Sequence, residues 1–221
     1  MMHQHTRGIV YVAYGHQARD QCVIAARNLR YVHRDWPITV ISDAPLTGAD
    51  VPPTAWIRYP DQDEGARRAK LNVDRLSPYE WTCYMDTDTR ARYSMEAGWQ
   101  LLNAGWEMLI APTGGQAETL FRHIPEQEKA QTIAELGGRP ILALQGGVIW
   151  FRKCEAVHAL YRTWREEWER WQDQDQAALV RALRRSPVKL LLLSRDWNGG
   201  CLLGHYHAAS RRTGLKGAYN P

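Results

Sequence analysis

The segment Gly8–Tyr14 (GIVYVAY) is apolar at nearly every position. A run that barely alternates predicts a strand buried on both faces. Gln17–His33 then sets Cys22, Ala25, Ala26 and Leu29 on one stripe at helical spacing, with polar residues between them. Pro37–Asp43 returns to a strand pattern and ends on the polar pair Ser42-Asp43. Strand, helix and strand in that order predict a parallel α/β unit with a right-handed crossover. Pro45–Pro53 reads as a loop, and Trp56–Tyr59 as another short strand. Asp61–Leu76 has helical spacing through Ala66, Ala69, Leu71 and Val73, closed off by Ser77-Pro78. Trp81–Tyr84 is aromatic and β-branched and reads as a buried strand.

Further along, Trp106–Ala111 predicts a strand, and Glu118–Leu136 holds broken helical material ending at Gly137-Gly138. Ile141–Phe151 is strand-like but interrupted by Gln145-Gly146-Gly147. Glu155–Trp171 has the clearest helical stripe, through Val157, Leu160, Tyr161, Trp164, Trp168 and Trp171, and that stripe reads as core. Asp173 opens a second helix carrying Ala177, Leu179, Val180 and Leu183, with Arg181, Arg184 and Arg185 on the side assigned to solvent. Lys189–Leu193 reads as the final strand, and the tail from Arg195 is rich in Gly, His and Arg. No repeat or convincing linker divides the pattern, so a single domain over 1–221 is expected.

Composition changes this picture little. At 44% hydrophobic and 24% charged residues, the chain can build a packed core. A net charge of +4 does not demand a nucleic-acid partner, although the late positives suit a polyanionic ligand. Cys22, Cys83, Cys154 and Cys201 are widely spaced, without a zinc or disulfide pattern. That spacing and the polar Met1–Arg7 lead point to the cytoplasm, with any membrane contact peripheral. Val188–Leu193, the longest apolar stretch, is far too short to cross a bilayer.

The chemistry is most legible at Met85-Asp86-Thr87-Asp88-Thr89, directly after the apolar strand. Side chains two apart on a strand point the same way, so Asp86 and Asp88 project together. Two carboxylates held that close repel unless something positive sits against them. Hard oxygen ligands suit Mg²⁺ or Mn²⁺, whose shells are commonly completed by phosphate oxygens and water.

Several ordered pieces carry a family resemblance over roughly Gly8–Ser210. Lys70–Glu80 followed by Tyr84–Thr89 resembles the segment that leads into a metal-binding D-x-D. Gln145–Arg152 is similar to a sugar-side glycine strand. Asp175-Gln176-Ala177-Ala178-Leu179 resembles a D-Q helix start, and Arg195-Asp196-Trp197-Asn198 the Trp-Asn that follows it. Together they resemble nucleotide-sugar glycosyltransferases of the GT-A fold, in the glycogenin and lipopolysaccharide glycosyltransferase group (family 8-like). The resemblance implies an α/β fold with a mostly parallel central sheet flanked by helices. It also implies transfer, with retention, from a nucleoside-diphosphate sugar, UDP-linked by expectation.

Under the resemblance, Asp86 and Asp88 hold Mn²⁺ or Mg²⁺, and a late histidine closes the site. His207 is assigned that place because Ala208-Ala209-Ser210 follows it; His205, two residues earlier, is the alternative. Gly146 and Gly147 let backbone approach the donor sugar, although a β-bulge would equally explain them. Asp175 and Gln176 face the sugar or anomeric centre, although Asp175 or Asp173 would also serve as a helix cap. Tyr14 and Gly15 are expected near the base with Asp43 close by, Lys70 and Arg67 near base or phosphate, and Thr87 beside the donor. The chain departs from the family in lacking Lys-Pro-Trp after the histidine and in having Gln145 before the glycines. The acceptor stays open among a glycan, a lipid-linked sugar, a protein and a nucleic acid. The rival readings are a binding protein of the same fold without turnover, a phosphatase and a nucleotidyltransferase. Arg90, where a dehalogenase-type phosphatase wants Thr or Val, weighs against the second.

Overall fold

The computed structural model describes residues 6–48, 51–52, 54–59, 65–113, 124–138 and 142–206. The strands β1 (Arg7–Val12), β2 (Ile38–Ser42), β3 (Ala55–Arg58), β4 (Trp81–Met85), β6 (Met108–Pro112), β7 (Leu144–Arg152) and β8 (Leu190–Leu192) form one seven-stranded sheet in the order β3-β2-β1-β4-β7-β6-β8. Every neighbouring pair is parallel except the two made by β7, which runs against both β4 and β6. A small second sheet pairs β5 (Thr89–Ala91) with β9 (Leu203–His205), antiparallel. Helices α1 (Gly15–Val32), α2 (Gly65–Lys70), α3 (Val73–Leu76), α4 (Glu96–Asn103), α5 (Glu126–Glu135), α6 (Glu155–Glu169) and α7 (Asp175–Arg185) flank the large sheet.

The non-alternating strands follow from this layering. Along β1, Ile9 and Tyr11 pack with Cys22, Ala25 and Leu29 of α1, while Val10 and Val12 pack with Ala69, Leu71, Trp164 and Leu179. Both faces of the sheet are therefore buried, and both must be apolar. On the α1 side, Trp36, Trp99, Trp150 and Trp197 form an edge-to-face cluster, with the Trp99 and Trp150 centroids 4.6 Å apart. Gly98 permits this contact, since a Cβ there would lie 2.7 Å from the Trp150 ring.

Three expectations need correcting. Arg181 does not face solvent: it is 2% exposed and bonds Glu167 at 2.9 Å and Glu128 at 3.0 Å. Burial pairs it with carboxylates from two other helices, a contact that the pattern along its own helix cannot report. Lys189–Leu193 is not the final strand, because β9 follows. Trp171 lies past the end of α6 and is only partly buried, whereas Trp164 and Trp168 belong to the core. The pattern also passed over α4 and β5. Expected features at positions 61–64, 118–123, 141 and 207 lie outside the described residues.

Candidate active site

Parallel strands β1 and β4 end side by side, and the chain leaves each toward one cavity of about 380 Å³. Val12, Tyr14, Lys70, Asp86, Asp88, Gly147, Asp175, Gln176 and His205 are among its lining. This is the edge where open α/β sheets bind ligands. A depression of about 540 Å³ at the opposite edge is lined by Thr6, Arg7, His33, Asp35 and Trp36. Burial holds the His33 imidazole down at about 4, so the neutral ring accepts the Met95 N–H at 2.9 Å and stacks on Trp36. Among the described residues, that second hollow holds no cluster of three metal-ligating groups.

The acidic turn is held at both ends. Asp86 N–H donates to the Gly147 carbonyl at 2.7 Å, and the Thr89 N–H and hydroxyl donate back to the Asp86 carbonyl. Thr89 then pairs with His205 across the small sheet, which brings the imidazole to the carboxylates. His205 Nε2 lies 2.8 Å from Asp88 Oδ1 and 3.9 Å from Asp86 Oδ2. One ligand atom from each of Asp86, Asp88 and His205 lies within 4.8 Å of the others. Tyr84, two residues before Asp86 on the same face, donates its hydroxyl to Asp86 Oδ1 at 2.5 Å. Burial, and next the Asp86 charge, push that phenol well above its ordinary range, so it stays a donor.

A second cluster sits beside the first. Asp175, at the start of α7, accepts from Lys70 Nζ at 2.7 Å and from Arg67 at 2.6 Å. Burial alone would raise its pKa, but the Lys70 and Arg67 charges prevail and hold the carboxyl below its usual value. Burial likewise works against the Lys70 ammonium, and Asp175 with Asp86 reverses that and raises it. Asp86 Oδ1 is 4.0 Å from the same ammonium. The Trp164 indole N–H bonds the Asp175 carbonyl at 2.8 Å, so the core helix α6 fixes the start of α7. A helix cap is not what Asp175 supplies: Gln174 occupies the cap position, without a side-chain bond.

No protein-family model matches the chain, and no curated protein does. Solved structures do match. The galactosyltransferase LgtC, in complex with donor and acceptor sugar analogues, superposes with a TM-score of 0.58 at 15% identity, over 86% of this chain and 74% of its own. The glycosyltransferase GlyE of Streptococcus pneumoniae TIGR4 gives 0.57 at 11% identity, over 88% of this chain and 46% of its own. Mouse xyloside xylosyltransferase 1 gives 0.55 at 9% identity, over 86% of each chain. The fold is of GT-A type. At these identities the likeness is one of fold, and the chemistry must be argued from the side chains.

On the GT-A sheet the expected residues do not all gather. Asp86, Thr87, Asp88, Lys70, Gly146, Gly147, Asp175, Gln176 and Tyr14 line the one cavity, as does Arg67. Gly15 and Asp43 stand beside it: Gly15 opens α1 with a φ of +76°, and Asp43 accepts from Arg19 at 2.5 Å. The Tyr14 hydroxyl donates to the Tyr59 carbonyl at 2.7 Å. His207 lies outside the described residues; among the described residues, the histidine at the carboxylates is His205. The glycines are needed by the protein itself. A Cβ on Gly147 would lie 2.6 Å from His205 Cε1 and 2.9 Å from Asp86 Oδ2. One on Gly146 would lie 3.1 Å from Lys70 Nζ. Both also fall where the β6–β7 register shifts, between the pairs Ile110–Ile149 and Ala111–Gln145. Tyr84 and Asn198 were missed as site residues; the two-residue strand spacing from Asp86 would have found the first.

Proposed function

We propose that this chain is a metal-dependent glycosyltransferase that uses a nucleoside-diphosphate sugar, UDP-linked, with retention at the anomeric carbon. The convergence of Asp86, Asp88 and His205 at the floor of the cavity supports it most. Two carboxylates and one imidazole nitrogen suit Mn²⁺ or Mg²⁺, with the nitrogen inclining the set toward Mn²⁺. When bound, such an ion acts as a Lewis acid on the diphosphate and stabilises its departure. The residues supply the rest. Lys70 places a buried ammonium between Asp86 and Asp175, within the same cavity, where a leaving diphosphate needs positive charge. Gly146 and Gly147 keep the wall beside the donor sugar free of side chains. Asp175 and Gln176 offer a carboxylate and an amide to sugar hydroxyls; Gln176 is steadied by its bond to Gln145 Oε1 at 2.9 Å.

The cavity side chains do not select among a glycan, a lipid-linked, a protein or a nucleic-acid acceptor. Calorimetric titration with UDP, with and without Mn²⁺, tests the donor half. Binding that requires Mn²⁺ is expected, and Asp88→Ala should abolish it while leaving the unliganded melting temperature unchanged. Such a loss is expected to lower kcat/KM by at least about 100-fold. UDP binding that persists in Asp88→Ala would sink the assignment. A screen of nucleotide-sugars for Mn²⁺-dependent hydrolysis then identifies the sugar.

A further inference from the structure

Asn198 follows the short 3₁₀ turn Arg195–Trp197 and is 7% exposed. Its Nδ2 lies 3.1 Å from the carbonyl oxygen of Gln145, and its Oδ1 lies 3.0 Å from His205 Nδ1. A backbone carbonyl can only accept, so the amide must turn its NH₂ toward Gln145 and its oxygen toward the ring. That oxygen also only accepts, so His205 Nδ1 must carry a proton and donate it. Nε2, which faces Asp88 and Asp86, is then the nitrogen left to ligate a metal; with no ion between them, its 2.8 Å contact with Asp88 Oδ1 is one in which the ring donates.

We propose that Asn198 is a positioning residue for the cation site: it fixes the Nδ1–H form of His205, aims Nε2 at Asp86 and Asp88, and ties the ring to the glycine strand through Gln145. The metal arm of this inference rests on the proposed metal-dependent function; the tautomer arm does not. A ligating imidazole ordinarily donates its other N–H to a carboxylate or carbonyl, which orients the ring and raises its basicity. The amide itself is held firmly. Trp197 packs edge-on against Trp150 with centroids 5.9 Å apart, and Gly199 N–H bonds the Leu203 carbonyl at 2.8 Å, joining the turn to β9. Gln145 receives Asn198 on its carbonyl and Gln176 on its side chain. One run of polar contacts therefore links the metal ligand, the glycine strand and the start of α7.

The test uses the full chain and the variants Asn198→Ala and Asn198→Asp. Histidine ¹⁵N spectra of the metal-free protein should show a protonated Nδ1 on His205 in the wild type and mixed tautomers in Asn198→Ala. Mn²⁺ titration followed by electron paramagnetic resonance should show affinity about 10–100-fold weaker in Asn198→Ala, and a smaller loss in Asn198→Asp, which keeps the oxygen that accepts from Nδ1 but gives up the bond to the Gln145 carbonyl. A bare Nδ1 in the wild-type protein overturns the inference whatever the metal does. So does undiminished Mn²⁺ affinity in Asn198→Ala, or an equal loss in both variants. Absence of Mn²⁺ binding by the wild type overturns the metal-dependent function and the metal arm together, and the metal-free spectra tell that failure apart from a wrong tautomer.

Discussion

Two regions of this molecule bury charge, and they do so to opposite ends. Between α5, α6 and α7, Arg181 is surrounded by Glu128, Glu167 and Thr132, and Glu167 is bonded in turn by Arg170 and Arg185 at 2.6 Å each. Each guanidinium there faces a carboxylate, and Glu167 accepts from three arginines. At the carboxyl ends of β1 and β4, Asp86, Asp88 and His205 Nε2 instead point toward one spot from three sides. Three ligand atoms converging in that way are arranged to take up a cation. The first region is built for stability and the second for a ligand.

The contrast can be broken most sharply at Arg181. Arg181→Leu strands the buried Glu128 carboxylate and removes one of the three arginines on Glu167, and should cost about 3–5 kcal/mol. In a chain of this size that is a fall of roughly 6–20 °C in melting temperature. Mn²⁺ affinity of the folded fraction should not change; weakened affinity would mean that the two regions are coupled. Asp175→Asn comes next, at about 1.5–3 kcal/mol, because a neutral amide is a poorer partner for Lys70 and Arg67. The sign with pH is set by a carboxyl held below its ordinary value. Its contribution is complete above the unfolded-state pKa of about 4 and is lost as pH falls through the lower folded-state value. Wild type and variant should thus differ by a constant amount at neutral pH and converge in strong acid. A difference that grows on acidification, followed by thermal melts, would contradict the ion pairing.

Gly147→Ala sharpens the comparison from the ligand side. Its methyl would meet His205 and Asp86, so overpacking should cost about 1–3 kcal/mol and weaken Mn²⁺ binding at the same time. A variant that loses stability alone would show that those two side chains can give way. The mildest contrast is between the histidines. His205→Ala should weaken Mn²⁺ at least about tenfold, as loss of a ligand must exceed the low end of losses from outer-shell partners. His207→Ala should leave the affinity unchanged in the same titration.

The sequence made some of this plain and concealed the rest for physical reasons. The stripe Cys22, Ala25, Ala26 and Leu29 is the buried face of α1, because an 18-residue helix repeats its signal several times. Buried strands β1, β2 and β4 stood out because both of their faces must be apolar. The pair β5 and β9 has three residues in each strand and no period to detect. That gap also hid how a histidine is brought in: His205 reaches the carboxylates through its pairing with Thr89, a contact more than a hundred residues apart in sequence. Arg181 looked solvated because charge is the usual sign of a surface, and its partners lie on other helices. Asn198 was legible only as part of the Trp-Asn piece, and its contacts appeared when the fold set Gln145 and His205 on either side of one amide.

The annex formed by β5 and β9 is a sheet of its own, joined by the rungs Thr89–His205, Arg90–Gly204 and Ala91–Leu203, yet Ala91 and Leu203 are buried in the core on the α1 side. The imidazole is therefore seated by the same packing that holds α1 and the tryptophans. Loosening that face of the core should blunt cation capture along with the fold, so the affinity for metal also gauges how well this side of the molecule is packed.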